Sequence, residues 1–210
     1  MPPPVHASPR NDPDFCQDNK GGLEARSKEL SAIAKADQDD RVHWERKTQK
    51  ELAKVVKRDT IRRRRVGEIF GEGCFQTAKD FAAAAIVFQH GIVSEHFFQA
   101  FIWTQRAVEL GDSSQKRLMA LALDRYLVTI GHKQLFASQA IKPDFKPETC
   151  WCLQPIEESF PDERRKEISG KSSNEAYDGL KELNSGNFCP IQECKTELKP
   201  SPQGTVPGFW

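Results

Sequence analysis

The segments QTAKDFAAAAIVFQHG (76–91), IVSEHFFQAFIWTQRAVELG (92–111) and DSSQKRLMALALDRYLVTIG (112–131) decide the fold. Each is an apolar pattern at helical spacing that runs into a glycine: Gly91, Gly111 and Gly131. Glycine just past the last turn is the common helix stop because it tolerates the left-handed conformation. Ser94 ahead of Glu95, and Asp112-Ser113-Ser114 ahead of Gln115, are short polar side chains suited to cap the following helices. The expectation is three consecutive helices over Gln76–His90, Glu95–Leu110 and Ser114–Ile130, packed antiparallel because their loops are short. Ala82 to Ala85 give the first of them a small-residue face for close approach.

Upstream, Leu30, Ile33, Ala34, Asp37, Arg41 and Trp44 keep one face of a helix, as do Leu52, Val55, Val56, Asp59, Arg63, Val66 and Phe70. No strong breaker separates the two patterns, so one long helix is an allowed reading. Prolines support the helical assignment: five lie in the first thirteen residues, eight lie from Pro143 onward, and none falls between Phe15 and Lys142. The chain is expected to be all-α, an antiparallel bundle or stacked hairpins. Residues 1–21 read as a disordered tail, 22–170 as the helical domain and 171–210 as a loosely ordered C-terminal tail.

The 210 residues suffice for one substantial core; 38% hydrophobic and 29% charged residues describe a globular chain with polar extensions. Mean hydropathy is -0.63. A net charge of +1 gives no global field toward nucleic acid or an anionic membrane. The basic run Arg62 to Arg65 points in all directions around a helix, so a solvated face with one buried pair is its expected use. The start lacks the basic and apolar regions of a signal peptide, and the apolar run near Phe81 to Phe88 is too short to span a bilayer, so a cytoplasmic setting is the default expectation. There the six cysteines are expected to be reduced thiols, with disulfides or zinc as alternatives. Zinc would be clamped by Cys150, Cys152, Cys189 and Cys194, although only the C-x4-C half of that spacing fits.

Three carboxylates, Asp37, Asp59 and Asp124, sit on faces expected to turn inward, and each has an arginine nearby: Arg41, Arg63 and Arg125. A buried carboxylate needs a cation, a metal or several hydrogen bonds, and arginine pairs that cross between helices and set the register are the first expectation. His90, after Gln89, closes a helix, where it could bond the free carbonyls of the last turn. Gln134 and Gln139 could satisfy loop backbone or offer polar contacts to a ligand. The first functional reading is a binding or interaction module for a protein or small molecule, with this Asp/Arg/His/Gln cluster as its internal frame. The alternative is a hydrolase- or lyase-type enzyme using His90 as acid/base with Asp124 or Asp59, since imidazole titrates near neutral pH. Phosphate-loop, serine-elbow and zinc-helix signatures are absent from the sequence.

From Asp37-Gln38 and Arg41, through Asp59, Gln89-His90-Gly91 and Asp124-Arg125, to Gly131-x-x-Gln134-x-Phe136-x-Ser138-Gln139, the chain resembles a widespread domain family of unknown function. The resemblance spans about Leu30 to Ser159, including Trp151-Cys152-Leu153 and Pro155-Ile156-Glu157. The family's last motif reads Gly-x-x-Gln-x-Tyr-Gly-Thr-Gln; here Phe136, Ala137 and Ser138 replace its Tyr-Gly-Thr. Losing the phenol removes a possible proton donor, and alanine at the glycine position argues against a left-handed turn. The resemblance implies a compact helical domain with a shared polar cluster and no particular reaction. Ala100, Trp103, Ala107 and Leu110-Gly111 also look similar to tetratricopeptide-like hairpins.

Overall fold

The computed structural model describes residues 15–16, 19–142, 149–184, 189, 193–201 and 203–204, the side chain of Glu45 excepted. Among them are seven α-helices and one two-stranded ribbon. The chain is mostly helical, as its periodicity predicts.

Helix α1 (Lys20–Asp39) begins on Asn19, whose Oδ1 accepts the Gly22 N–H at 2.9 Å. Helix α2 (Gln49–Gly71) begins with a reciprocal box: Thr48 Oγ1 accepts the Glu51 N–H, and Glu51 Oε2 accepts the Thr48 N–H. The two patterns are therefore separate helices. Between them His43 adopts φ 54°, and a 3-10 turn covers Trp44–Arg46. A non-glycine left-handed residue leaves little trace in sequence, which is why the break could not be read.

Helices α3 (Ala78–Gln89), α4 (Ser94–Glu109) and α5 (Lys116–Thr129, after a 3-10 turn over Ser113–Gln115) fall within a few residues of expectation. Thr77 and Asp80 form a capping box for α3, whereas Val93, not Ser94, is the N-cap of α4 and gives no side-chain cap. Gly111 (φ 101°) and Gly131 (φ 86°) terminate their helices as proposed. The N–H of Gly111 bonds Val108 O and that of Asp112 bonds Ala107 O, and Gly131 and His132 repeat the arrangement on Val128 and Leu127. Gly91 is glycine for another reason. A Cβ there would lie 2.2 Å from His96 Cβ, so the position is required by close approach.

α4 packs against both α3 and α5, while α1 lies chiefly along α3 rather than its sequence neighbour α2. One apolar cluster, including Leu30, Val66, Ile69, Ala84, Val87 and Trp103, fills the space among α1 to α4. Phe88 meets the Trp103 ring edge-on at 4.7 Å. A second cluster joins Phe101, Leu123 and Leu127 to Leu135, Phe136 and Phe160.

The C-terminal portion is irregular, and its described residues make the following contacts. Strands β1 (Ala140–Ile141) and β2 (Cys152–Leu153) pair antiparallel, followed by α6 (Asp162–Ser169) and α7 (Ser173–Leu183). α7 buries Ala176 and Leu180 against Ala137, Leu153 and Ile156. Lys199 exchanges backbone bonds with Gly131 and Lys133, and Ser201 N–H donates to Glu157 Oε2 at 2.9 Å. The expected disordered tail lies largely outside the described residues, though Cys16 is buried.

The cysteine expectations are corrected. The sulfurs pair as Cys16–Cys74, Cys150–Cys189 and Cys152–Cys194. The zinc clamp and the reduced thiols are thereby set aside, because a disulfide sulfur offers no thiolate to a metal. In the chain-entropy picture a loop the length of the 58-residue separation between Cys16 and Cys74 is worth about 4 kcal/mol. Cys150–Cys189 and Cys152–Cys194 enclose nearly the same loop, so their contributions do not add in full. No helix among the described residues is long and apolar enough to cross a membrane.

Candidate functional site

The last carbonyls of α3 have no partner within the helix, and two arginines from elsewhere take them. Arg63 Nη1 on α2 donates to His90 O at 3.0 Å, and Arg125 Nη1 on α5 donates to Gln89 O at 2.7 Å. Both positive charges also suit the negative end of the helix dipole. The His90 ring is then free to turn away from its own helix. Its Nδ1 lies 2.7 Å from Asp37 Oδ2 on α1, not on the last-turn carbonyls as expected. An ionised carboxylate only accepts, so Nδ1 is the donor in this contact.

Asp37 is fully buried and draws three further contacts. Gln38 Nε2 donates to Oδ2 at 2.9 Å, Arg41 Nη1 donates to the Asp37 carbonyl at 2.8 Å, and the same nitrogen lies 3.1 Å from Oδ1 without hydrogen-bond alignment. Arg41 Nη2 then crosses to Asp59 Oδ2 at 2.9 Å, joining the end of α1 to α2. Asp59 Oδ1 takes Arg62 rather than Arg63, at 2.9 Å. Arg62 and Arg58 both donate to Asp40. The expectation of inter-helix arginine bridges describes this half of the cluster well.

The basic run is divided by these partners. Arg62 serves Asp40 and Asp59, Arg63 serves His90 O, and Arg65 serves Glu29, Glu68 and Glu72. Hydrogen bonds from Arg58, then Arg62, hold the Asp40 carboxyl down at about 2, against burial that raises it. Because the folded value lies below the unfolded 3.8, this stabilisation is complete above about pH 4 and is lost as pH falls through about 2. The shift corresponds to about 2 kcal/mol, discounted to about 1–2 because Arg58 is half exposed to screening water. Asp40→Asn is therefore expected to lose about 1–2 kcal/mol less than the wild type between pH 7 and pH 2 in urea denaturation. Equal losses would mean the Asp40 pairs contribute nothing.

Asp124 does not join His90. It is fully buried and knots the loop after α5, accepting the N–H groups of Leu135 (2.8 Å), Phe136 (3.0 Å) and Ser138 (3.0 Å) and the Ser138 hydroxyl (2.7 Å). Burial pushes its carboxyl up to about 6 against these donors. Ala137, at the centre of the loop, adopts φ 55°. The left-handed turn that alanine was expected to disfavour is present, held by the knot around it. Gln134 staples the same loop, its Nε2 donating to Gln154 O at 2.6 Å and its Oε1 accepting Gln139 N–H at 2.7 Å. Gln139 Oε1 accepts from Arg125 Nε at 3.2 Å, which links this knot to the His90 side. The Gln89 side chain is buried with its Oε1 unpartnered.

The predicted residues thus form two centres. Asp37, Arg41, Asp59 and His90 meet at one, with Gln89 and Arg125 behind it, whereas Asp124, Gln134 and Gln139 build a loop. The first opens to solvent, and Phe136, Ala137 and Ser138 of the loop line a separate cleft of about 360 Å³. A cleft of about 370 Å³ is lined by Arg41, Trp44, Val56, Asp59, Arg63, His90, Gly91 and Ile92. The His90 side chain is 21% exposed there. Trp44, Val56 and Ile92 form an exposed apolar wall, with the Arg41 guanidinium 6.0 Å from the Trp44 ring. Trp44 and Ile92 were not expected as site residues. The 3-10 turn takes Trp44 off the helical stripe on which its spacing placed it, and the α3–α4 loop brings in Ile92. Among the described residues no group of three or more His, Cys, Asp or Glu is placed to hold a metal ion.

Comparison with protein-family models, with curated proteins and with solved structures finds no match to this chain.

Proposed function

We propose that this helical domain is a small-molecule-binding module whose ligand sits in the cleft against His90, with the Asp/Arg cluster as the rigid frame around it. The observation that carries this is an imidazole oriented by a buried carboxylate at the lining of a solvent-open cleft. The motif resemblance fits such a site and supplies no reaction. Fragment screening by NMR tests it: ligands are expected to shift the His90 ring resonances and leave those of His132 in place. A screen whose hits all bind elsewhere, or which yields none, removes the proposal.

Acid–base catalysis is a second reading, favoured by the 2.7 Å His90–Asp37 contact, which orients the ring at the lining of the cleft. Asp37 takes the orienting role first considered for Asp124 or Asp59. A ligand found by the screen and left chemically unchanged by wild-type protein over prolonged incubation would count against it. The three disulfides support an oxidising compartment in place of the cytoplasm. Free-thiol titration of protein from its native cell tests this, and six reactive thiols would restore the cytoplasmic expectation.

A further inference from the structure

We propose that the cleft selects a small anion carrying an apolar body, with Arg63 receiving the anionic group and Trp44, Val56 and Ile92 flanking the body. This rests on the cleft being a ligand site. Arg63 is only 6% exposed, yet its partners are uncharged: His90 O at 3.0 Å and Thr60 Oγ1 at 3.4 Å. Its neighbours Arg41, Arg58 and Arg62 each hold a carboxylate within ion-pair distance, and Arg63 holds none among the described residues.

A desolvated guanidinium without a counter-ion is costly, and a bound anion relieves that cost. Burial is the first cause of the lowered Arg63 pKa; the Asp59 charge opposes it from beyond ion-pair distance, the Arg41 charge adds to it, and the Asp37 charge opposes it. Two hydrogen bonds leave most of the five-donor fork unused on a residue that lines the cleft, and a planar fork suits the paired oxygens of a carboxylate or phosphate.

The local charge agrees. Of the side chains that line the cleft, Arg41 and Arg63 stand against the single carboxylate of Asp59, an excess of one cation. The apolar wall opposes this cationic floor, with Trp44 43% and Ile92 68% exposed. The volume of about 370 Å³ is at the small end for ligand sites, which run from about 300 to 1,000 Å³, and suits a single ring bearing one charged group.

Four probes of one shape test it on the full chain: benzoate and phenyl phosphate as the two anion sources, neutral benzamide and cationic benzylamine. Each is titrated by calorimetry with the His90 resonances as the site reporter. At least one anion is expected to bind about tenfold or more tightly than benzamide, with benzylamine weakest. Arg63→Gln, which keeps a donor for His90 O, is expected to bring the anions down to the benzamide level, and Arg63→Lys to retain part of the preference. Benzamide matching both anions in the wild type, or Arg63→Gln keeping the preference, overturns the anion assignment while leaving the cleft as a ligand site. If no probe moves His90, the assignment fails together with the cleft proposal.

Discussion

Asp124→Ala is expected to lower the unfolding free energy by about 3–5 kcal/mol, because it strands several buried donors at once. The carboxylate accepts the N–H groups of Leu135, Phe136 and Ser138, and it also holds the Ser138 hydroxyl. Without it the loop must either bury unpaired amides or open, and opening exposes Phe136, which packs on Phe160 at 5.3 Å. Ala137 adds to the cost of any loosening, since its left-handed φ of 55° is held only by its surroundings. Asp124→Asn keeps one acceptor oxygen and turns an NH2 toward donors, so an intermediate loss is expected. Equilibrium denaturation followed by circular dichroism measures both. A loss under about 1 kcal/mol for the alanine variant would remove Asp124 from the architecture and reopen a functional role.

Arg41→Met is expected to cost about 3 kcal/mol or more, the usual consequence of removing one member of a buried ionic network. It leaves Asp37, fully buried, and Asp59, 5% exposed, without the guanidinium that lies between them. Asp37 retains His90 and Gln38, and Asp59 retains Arg62, which keeps the loss from being larger. Neutralising one stranded charge should recover part of it, so Arg41→Met with Asp59→Asn is expected to be less destabilised than the sum of the single changes. Strict additivity in denaturant midpoints, or a single-variant loss near zero, would mean that Arg41 does not couple α1 to α2.

The two variants divide the cluster that the sequence presented as one. Asp37, Asp59 and Asp124 all lie on inward faces, and helical spacing was enough to place them there. Spacing could not tell a carboxylate that accepts backbone N–H groups from one that accepts arginines. That depends on what the facing element presents, which at Asp124 is a loop and at Asp37 is the end of α3. Arg63 illustrates the same limit. Its face was legible, but its lack of a carboxylate partner follows from Arg62, one residue earlier, reaching Asp59 first.

The sequence by itself determined the helices α3, α4 and α5 and the stops at Gly111 and Gly131, because apolar periodicity and left-handed termination are settled within a few turns of chain. It also put the right side chains at the ends of those helices. The tertiary structure alone decided that Asp37 orients His90 across 53 residues, that Gly91 is needed for the approach of His96, and that the six cysteines pair. It likewise decided where the cleft opens. These outcomes depend on α1 lying along α3 and on the C-terminal segment folding back. Contacts between distant segments are fixed by packing, which no local pattern encodes.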